Sequence, residues 1–117
     1  MRKTNYHLRG LIEELKKTSA EQNVKIWKRV AQDLEKTDQS KRIVNLSRLD
    51  RFTGDNEVVV VPGKVLGTGE LGHKVTVAAF SFSESAKTKI TQNKGKAMTL
   101  KELISSNPKG QKVRIIG

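Results

Sequence analysis

The 117-residue chain contains no cysteine. Disulfides, thiolate metal ligands and cysteine nucleophiles are therefore excluded, and a reducing compartment such as the cytosol suits the composition. Histidine is scarce as well. His7 and His73 lie far apart, and neither stands in a metal-ligand spacing. Aromatic residues are limited to Tyr6, Trp27, Phe52, Phe80 and Phe82, so the row of exposed rings that stacks single-stranded bases is not visible. No apolar run approaches the ~20 residues that span a bilayer. Met1-Arg-Lys-Thr-Asn5 lacks the apolar core of a signal peptide, and no membrane partner is expected. A catalytic site is not expected either. No serine sits in a nucleophile elbow, and the acids are scattered, mostly in helix first turns. Nothing asks for a cofactor or a small-molecule substrate.

Acidic residues are short in number: 12 Asp and Glu face 23 Lys and Arg, a net charge of +11. Folding does not need that excess, which opposes compaction through self-repulsion. A polyanionic partner is the simplest reason to carry it, and plain solubility is the other. Nucleic acid is the first candidate and an acidic protein the second.

What is present centres on residues 58–80. Val58-Val-Val-Val61 is a β-branched run that ends at Pro62, as a buried strand would. Lys74 to Phe82 is a second strand, with Val75, Val77 and Ala79 facing inward. Phe80 and Phe82 are two apart, so they share one face; they read as core, with a base-stacking pair as the alternative. Between the strands lies a glycine-rich loop, 62–73, holding Gly63, Gly67, Gly69 and Gly72. Gly67-Thr-Gly69-Glu-Leu-Gly72 spells a dinucleotide fingerprint. That motif works only where it opens a helix, and His73-Lys-Val-Thr-Val77 is strand-like. Lys64 is not followed by Ser or Thr, so the phosphate-loop pattern fails too.

Residues 1–9 carry Arg2, Lys3 and Arg9 and no acid. They form a basic arm running into a helix capped by Thr4 or Asn5. Leu8, Leu11, Ile12 and Leu15 make one apolar stripe. Thr18-x-x-Glu21 and Ser19-x-x-Gln22 spell overlapping capping boxes, which place the start of a second helix there. That helix runs to about Lys36 and buries Trp27, Val30, Ala31 and Leu34. Within 41–51 basic and apolar residues interleave. Ile43, Leu46 and Leu49 are expected inside. Lys41, Arg42, Asn45 and Arg48 are expected outside, around a short helix capped by Ser47 and ending near Phe52. Such a face suits phosphate and sugar contacts, or plain solvation.

Beyond the central strands, Ser83 opens a helix with Ala86 and Ile90 as its apolar pair. Lys87, Lys89, Lys94 and Lys96 lie on it or just after it. Thr99-x-x-Glu102 opens another helix with Leu100, Leu103 and Ile104 inside. Asn107-Pro108-x-Gly110 stops it, and Val113-Arg-Ile-Ile116 is a last strand. From Ser85 to Gly117 eight Lys and Arg face one acid, Glu102. The reading is α/β: one domain over 1–117, with the arm at 1–9 and a helical part at 10–53 built on an N-terminal hairpin. Strands and helices then alternate around a small sheet over 57–117.

Several of these stretches carry a resemblance. Val59-Val-Val-Pro-Gly-Lys-Val-Leu-Gly-Thr-Gly-Glu-Leu71 and Val75-Thr-Val-Ala-Ala79 lead it. Val44-Asn-Leu-Ser-Arg-Leu49, Phe82-Ser-x-Ser-Ala-x-x-Lys-Ile90 and Val113-Arg-Ile-Ile116 complete it. Together they resemble the eighteen-e family of the large ribosomal subunit, in its archaeal form, over nearly the whole chain. Lys64 to Leu71 and Phe82 to Ala86 are also similar to the bacterial fifteen protein of that subunit. Tyr6 departs from the pattern, which expects a proline after Thr4-Asn5.

The resemblance implies a non-enzymatic structural constituent of the cytoplasmic large ribosomal subunit. Its partners would be large-subunit ribosomal RNA and neighbouring ribosomal proteins. The expected RNA contacts are Arg2, Lys3 and Arg9 in the arm, then Lys41, Arg42, Asn45 and Arg48. Gly63, Lys64 and Gly67 follow in the loop, with Lys87, Lys89, Lys94 and Lys96 behind it. At the glycines the backbone is expected to approach RNA so closely that a Cβ would hinder it.

Overall fold

The valine run lies in the middle of a five-stranded sheet in the computed structural model, which describes residues 6–36 and 43–116, with side chains from residue 8 onward. The strands are β1 (Ile43–Asn45), β2 (Glu57–Leu66), β3 (Val75–Phe82), β4 (Lys96–Thr99) and β5 (Val113–Ile115). Every pairing is parallel. β3 lies on one side of β2, with β4 beyond it. The other side of β2 is shared: β5 pairs with Val58 to Val60, and β1 with Lys64 to Leu66.

Pro62 and Gly63 fall between those two partners, where the register against β3 also shifts. A proline has no N–H to give a ladder, so a central strand tolerates it only at such an irregularity. The strand therefore does not end at Pro62; it runs on to Leu66. The same shift separates Phe80 from Phe82. They do not share a face: Phe80 packs with the helical hairpin side and Phe82 with the opposite core.

A parallel sheet must be covered on both faces. One face carries α1 (Tyr6–Gln22), α2 (Ile26–Lys36) and α5 (Leu100–Ser106). Leu15, Trp27, Val30, Ala31, Leu34, Leu100, Leu103 and Ile104 pack there on Val60 and Ala78. The other face carries α3 (Leu46–Phe52) and α4 (Glu84–Gln92), which bury Leu46, Leu49, Ala86 and Ile90 on Val59, Val61, Val65 and the odd-numbered β3 residues.

The boundary between the first two helices differs from the expectation. Thr18 to Gln22 do not open α2; they finish α1. Asn23 adopts φ 54°, and Val24 N–H and Asn23 N–H bond to the carbonyls of Ser19 and Ala20 at 3.0 and 3.3 Å. That is a Schellman stop with Asn in the left-handed position. The buried Ser19 hydroxyl donates to the Val24 carbonyl and accepts from Lys28 N–H, so it braces the turn. Ser47 is likewise no cap: it lies inside α3, whose N-cap is Asn45. Ile43 is 48% exposed on β1, against the expected burial. The proposed Thr4 or Asn5 cap lies outside the described residues.

The caps of α4 and α5 form as expected. Ser83 Oγ accepts from Ala86 N–H at 3.2 Å. Thr99 and Glu102 make a reciprocal box at 2.8 and 3.0 Å. The Thr99 N–H, then its hydroxyl, hold the Glu102 carboxyl below the usual range. Glu57 is held down too, first by Arg114 at 2.8 Å and then by Gly54 N–H. Both carboxyls have lower pKa values folded than unfolded. Their stabilising effect is therefore present at neutral pH and is lost as pH falls through the lowered folded values. Thermal melting across an acid series should fall less steeply for Glu57→Gln/Glu102→Gln than for the unmodified chain. An identical fall would refute the assignment.

Candidate functional site

Residues 67–74 connect two parallel neighbours without a helix. The chain must return from Leu66 to Val75, a span of about 26 Å at 3.3 Å per strand residue. Nine peptide steps reach at most about 30–32 Å. The connection is therefore a nearly taut strap. It runs along α3: Thr68 O accepts from Ser47 N–H at 3.1 Å, and Asp50 Oδ1 accepts from Gly72 N–H at 2.8 Å. His73 Nε2 then meets Thr53 Oγ1 at 2.7 Å. Leu71 is the strap's buried anchor.

Gly67 is buried, and a Cβ there would meet Ser85 Oγ at 2.1 Å and Ala86 N at 2.9 Å. The close neighbour is the start of α4 rather than an external partner. Gly63 is buried in β2, and Lys64 is half-buried beside it. Lys89 reaches back to the strap. Its Nζ donates to the carbonyls of Gly67 and Gly69, each at 2.9 Å, and lies 3.7 Å from Glu70 Oε1. This lysine clamps the strap onto α4.

The other expected residues separate into distinct places. Arg9 is exposed on α1 and Lys87 on α4. Arg48 is exposed on α3, its guanidinium 5.1 Å from the centre of the Phe52 ring. Asn45 is half-buried, and its Oδ1 is buried without a hydrogen-bond partner among the described residues. Lys94 and Lys96 are exposed at the start of β4. Arg2, Lys3, Lys41 and Arg42 lie outside the described residues.

Sequence reasoning missed Lys74, which precedes β3 and joins Lys94 and Lys96 in one groove. Only the parallel pairing of β3 with β4 brings those strand starts together, and no local pattern announces it. It also passed over Phe52, which is 46% exposed, whereas the two rings on β3 are not. Among the described residues no helix is long and apolar enough to cross a membrane, and no His, Asp and Glu cluster is fit to hold a metal.

A family model described as ribosomal protein 60S L18 and 50S L18e matches residues 3–117. The chain belongs to this family. It is 46% identical to large ribosomal subunit protein eL18 of Methanosphaerula palustris over 116 residues, covering 99% of this chain and 96% of the relative. It is 48% identical to the protein of the same name in Methanococcus maripaludis, over 97% of this chain and 94% of the relative. Membership of the eL18 family makes it an archaeal-type ribosomal protein of a structural, non-enzymatic class. Within the glycine loop Gly63, Gly67 and Leu71 are buried, whereas Thr68, Glu70 and Gly72 are exposed.

Proposed function

We propose that this chain is built into the large subunit of the cytoplasmic ribosome. There it binds ribosomal RNA and holds the RNA's folded form beside neighbouring ribosomal proteins. Exposed Lys and Arg side chains do the binding, by neutralising phosphates. One observation carries this reading. Arg9, Lys87, Lys94 and Lys96 are exposed, and none of them is paired with a carboxylate among the described residues. The shortage of exposed aromatics fits a partner read by shape and backbone. Gly63 and Gly67 support the binding surface from within, since both are buried.

About six to ten phosphate contacts would make the affinity fall steeply with salt. Purified protein titrated with a large-subunit ribosomal RNA transcript should show that slope, and should resist competition by heparin. Equal displacement by heparin would favour the alternative, a basic module that meets an acidic protein.

A further inference from the structure

We propose that the groove at the starting ends of β2, β3 and β4 is a phosphate subsite that takes a backbone phosphate of RNA. The inference rests on the RNA-binding reading above and gives it an address. The groove encloses about 460 Å³, and Lys74, Lys94 and Lys96 line it together with Asn56 and Asn107.

Parallel strands start at one edge, so residues that precede them in sequence gather there. Lys74 precedes β3, and Lys96 opens β4 opposite Thr76. Lys94 stands in the turn between α4 and β4, at φ 64°. Gly95 makes that turn possible. A Cβ on it would lie 2.2 Å from the Val75 carbonyl oxygen. The backbone of Lys94 to Lys96 is thus pressed against the start of β3, which brings all three lysines to one concavity.

No acidic residue lines the groove. The neighbouring Asp55 already accepts from Lys74 N–H at 3.1 Å and from the Asn56 side-chain amide at 3.4 Å. No carboxylate pairs with Lys74, Lys94 or Lys96 among the described residues. Three unpaired like charges repel one another, and an anion between them removes that repulsion while gaining charge-assisted hydrogen bonds. A phosphate suits the donors offered: ammonium groups for its oxygens, with the second amide N–H of Asn56 and of Asn107 beside them, the first being given to Asp55 and to the Gln111 carbonyl. The apolar floor, which includes Met98, suits a sugar rather than a second charge. Ligands of open α/β sheets usually sit at the carboxyl ends of the strands. This groove lies at the opposite ends, so it is an electrostatic feature and not a cofactor crevice.

Two measurements test it. The first compares Lys74→Gln/Lys94→Gln/Lys96→Gln with a control of equal charge on the helical hairpin, Lys17→Gln/Lys25→Gln/Lys28→Gln. Each is titrated with a large-subunit ribosomal RNA transcript, and circular dichroism melts check that each is folded. The groove variant should lose about 0.7–0.9 from the slope of log affinity against log salt, the share of one phosphate contact. It should also bind at least about tenfold more weakly than the control. Equal losses in the two variants would overturn the proposal. The second adds inorganic tripolyphosphate to the unmodified chain and follows amide resonances. Asn56, Lys74, Gly95 and Lys96 should shift, and should stay still in the groove variant. Shifts confined to other lysines would overturn the subsite. Shifts in the groove without any RNA binding would instead sink the RNA-binding reading and leave the anion site standing.

Discussion

Trp27→Ala is expected to lower stability by about 3–5 kcal/mol, the range for truncating a buried large aromatic. At about 4 °C per kcal/mol for a domain of this size, the melting point should drop by about 12–20 °C. Trp27 is fully buried and heads the set of largest buried side chains. It packs where α1, α2 and α5 meet the sheet, so its loss leaves a cavity that three helices would have to close. It also does a second job. Its Nε1–H donates to the Pro108 carbonyl at 2.6 Å, tying the turn after α5 back to α2 across 81 residues of sequence. Trp27→Phe separates the two roles. It keeps most of the apolar volume and leaves that carbonyl without its donor, so a loss of about 1–2 kcal/mol is expected. Denaturant midpoints of the two variants give the comparison. Near-equal losses would mean that the hydrogen bond, not the volume, dominates.

Gly67→Val should destabilise by more than about 3 kcal/mol, beyond the usual 1–3 kcal/mol of overpacking. A Cβ at position 67 meets Ser85 Oγ at 2.1 Å and also the backbone nitrogen of Ala86 at 2.9 Å. Side-chain rotation can relieve the first contact but not the second. Backbone relief would need the strap to shift, and the strap has only about 4–6 Å of slack between its ends. Gly67→Ala combined with Ser85→Ala should therefore recover part of the loss and not all of it. The close RNA approach expected from sequence at this glycine implies the reverse: intact stability and weaker RNA binding. A variant that melts normally and binds RNA poorly would restore that view and remove the packing account.

The contrast shows where sequence was legible. The stripe Trp27, Val30, Ala31 and Leu34 was readable because a helix repeats every few residues and its neighbours are local. The Ser83 cap and the Thr99–Glu102 box were readable for the same reason. The matching boxes at Thr18 and Ser19 misled, because a later left-handed stop at Asn23 decides where α1 ends. β1 and β4 were not visible. Ile43–Asn45 has three residues, and Lys96-Ala-Met-Thr99 has two apolar ones between polar ends. Such strands exist through their partners rather than through their own pattern.

The site was less legible than the fold. Lys89 looks like any surface lysine in sequence, yet it holds two strap carbonyls 20 and 22 residues away. Lys74 seemed an incidental strand-start residue, yet parallel pairing sets it beside Lys94 and Lys96. Charge excess points to a polyanionic partner. Only topology says which charges stand together.

The most direct test of the central claim is cofractionation from archaeal cells expressing the tagged chain, on sucrose gradients run at low and at moderate salt. The account predicts comigration with the large subunit that survives the moderate salt, because many phosphate contacts act together. Sedimentation only in the light fractions at both salts would contradict it.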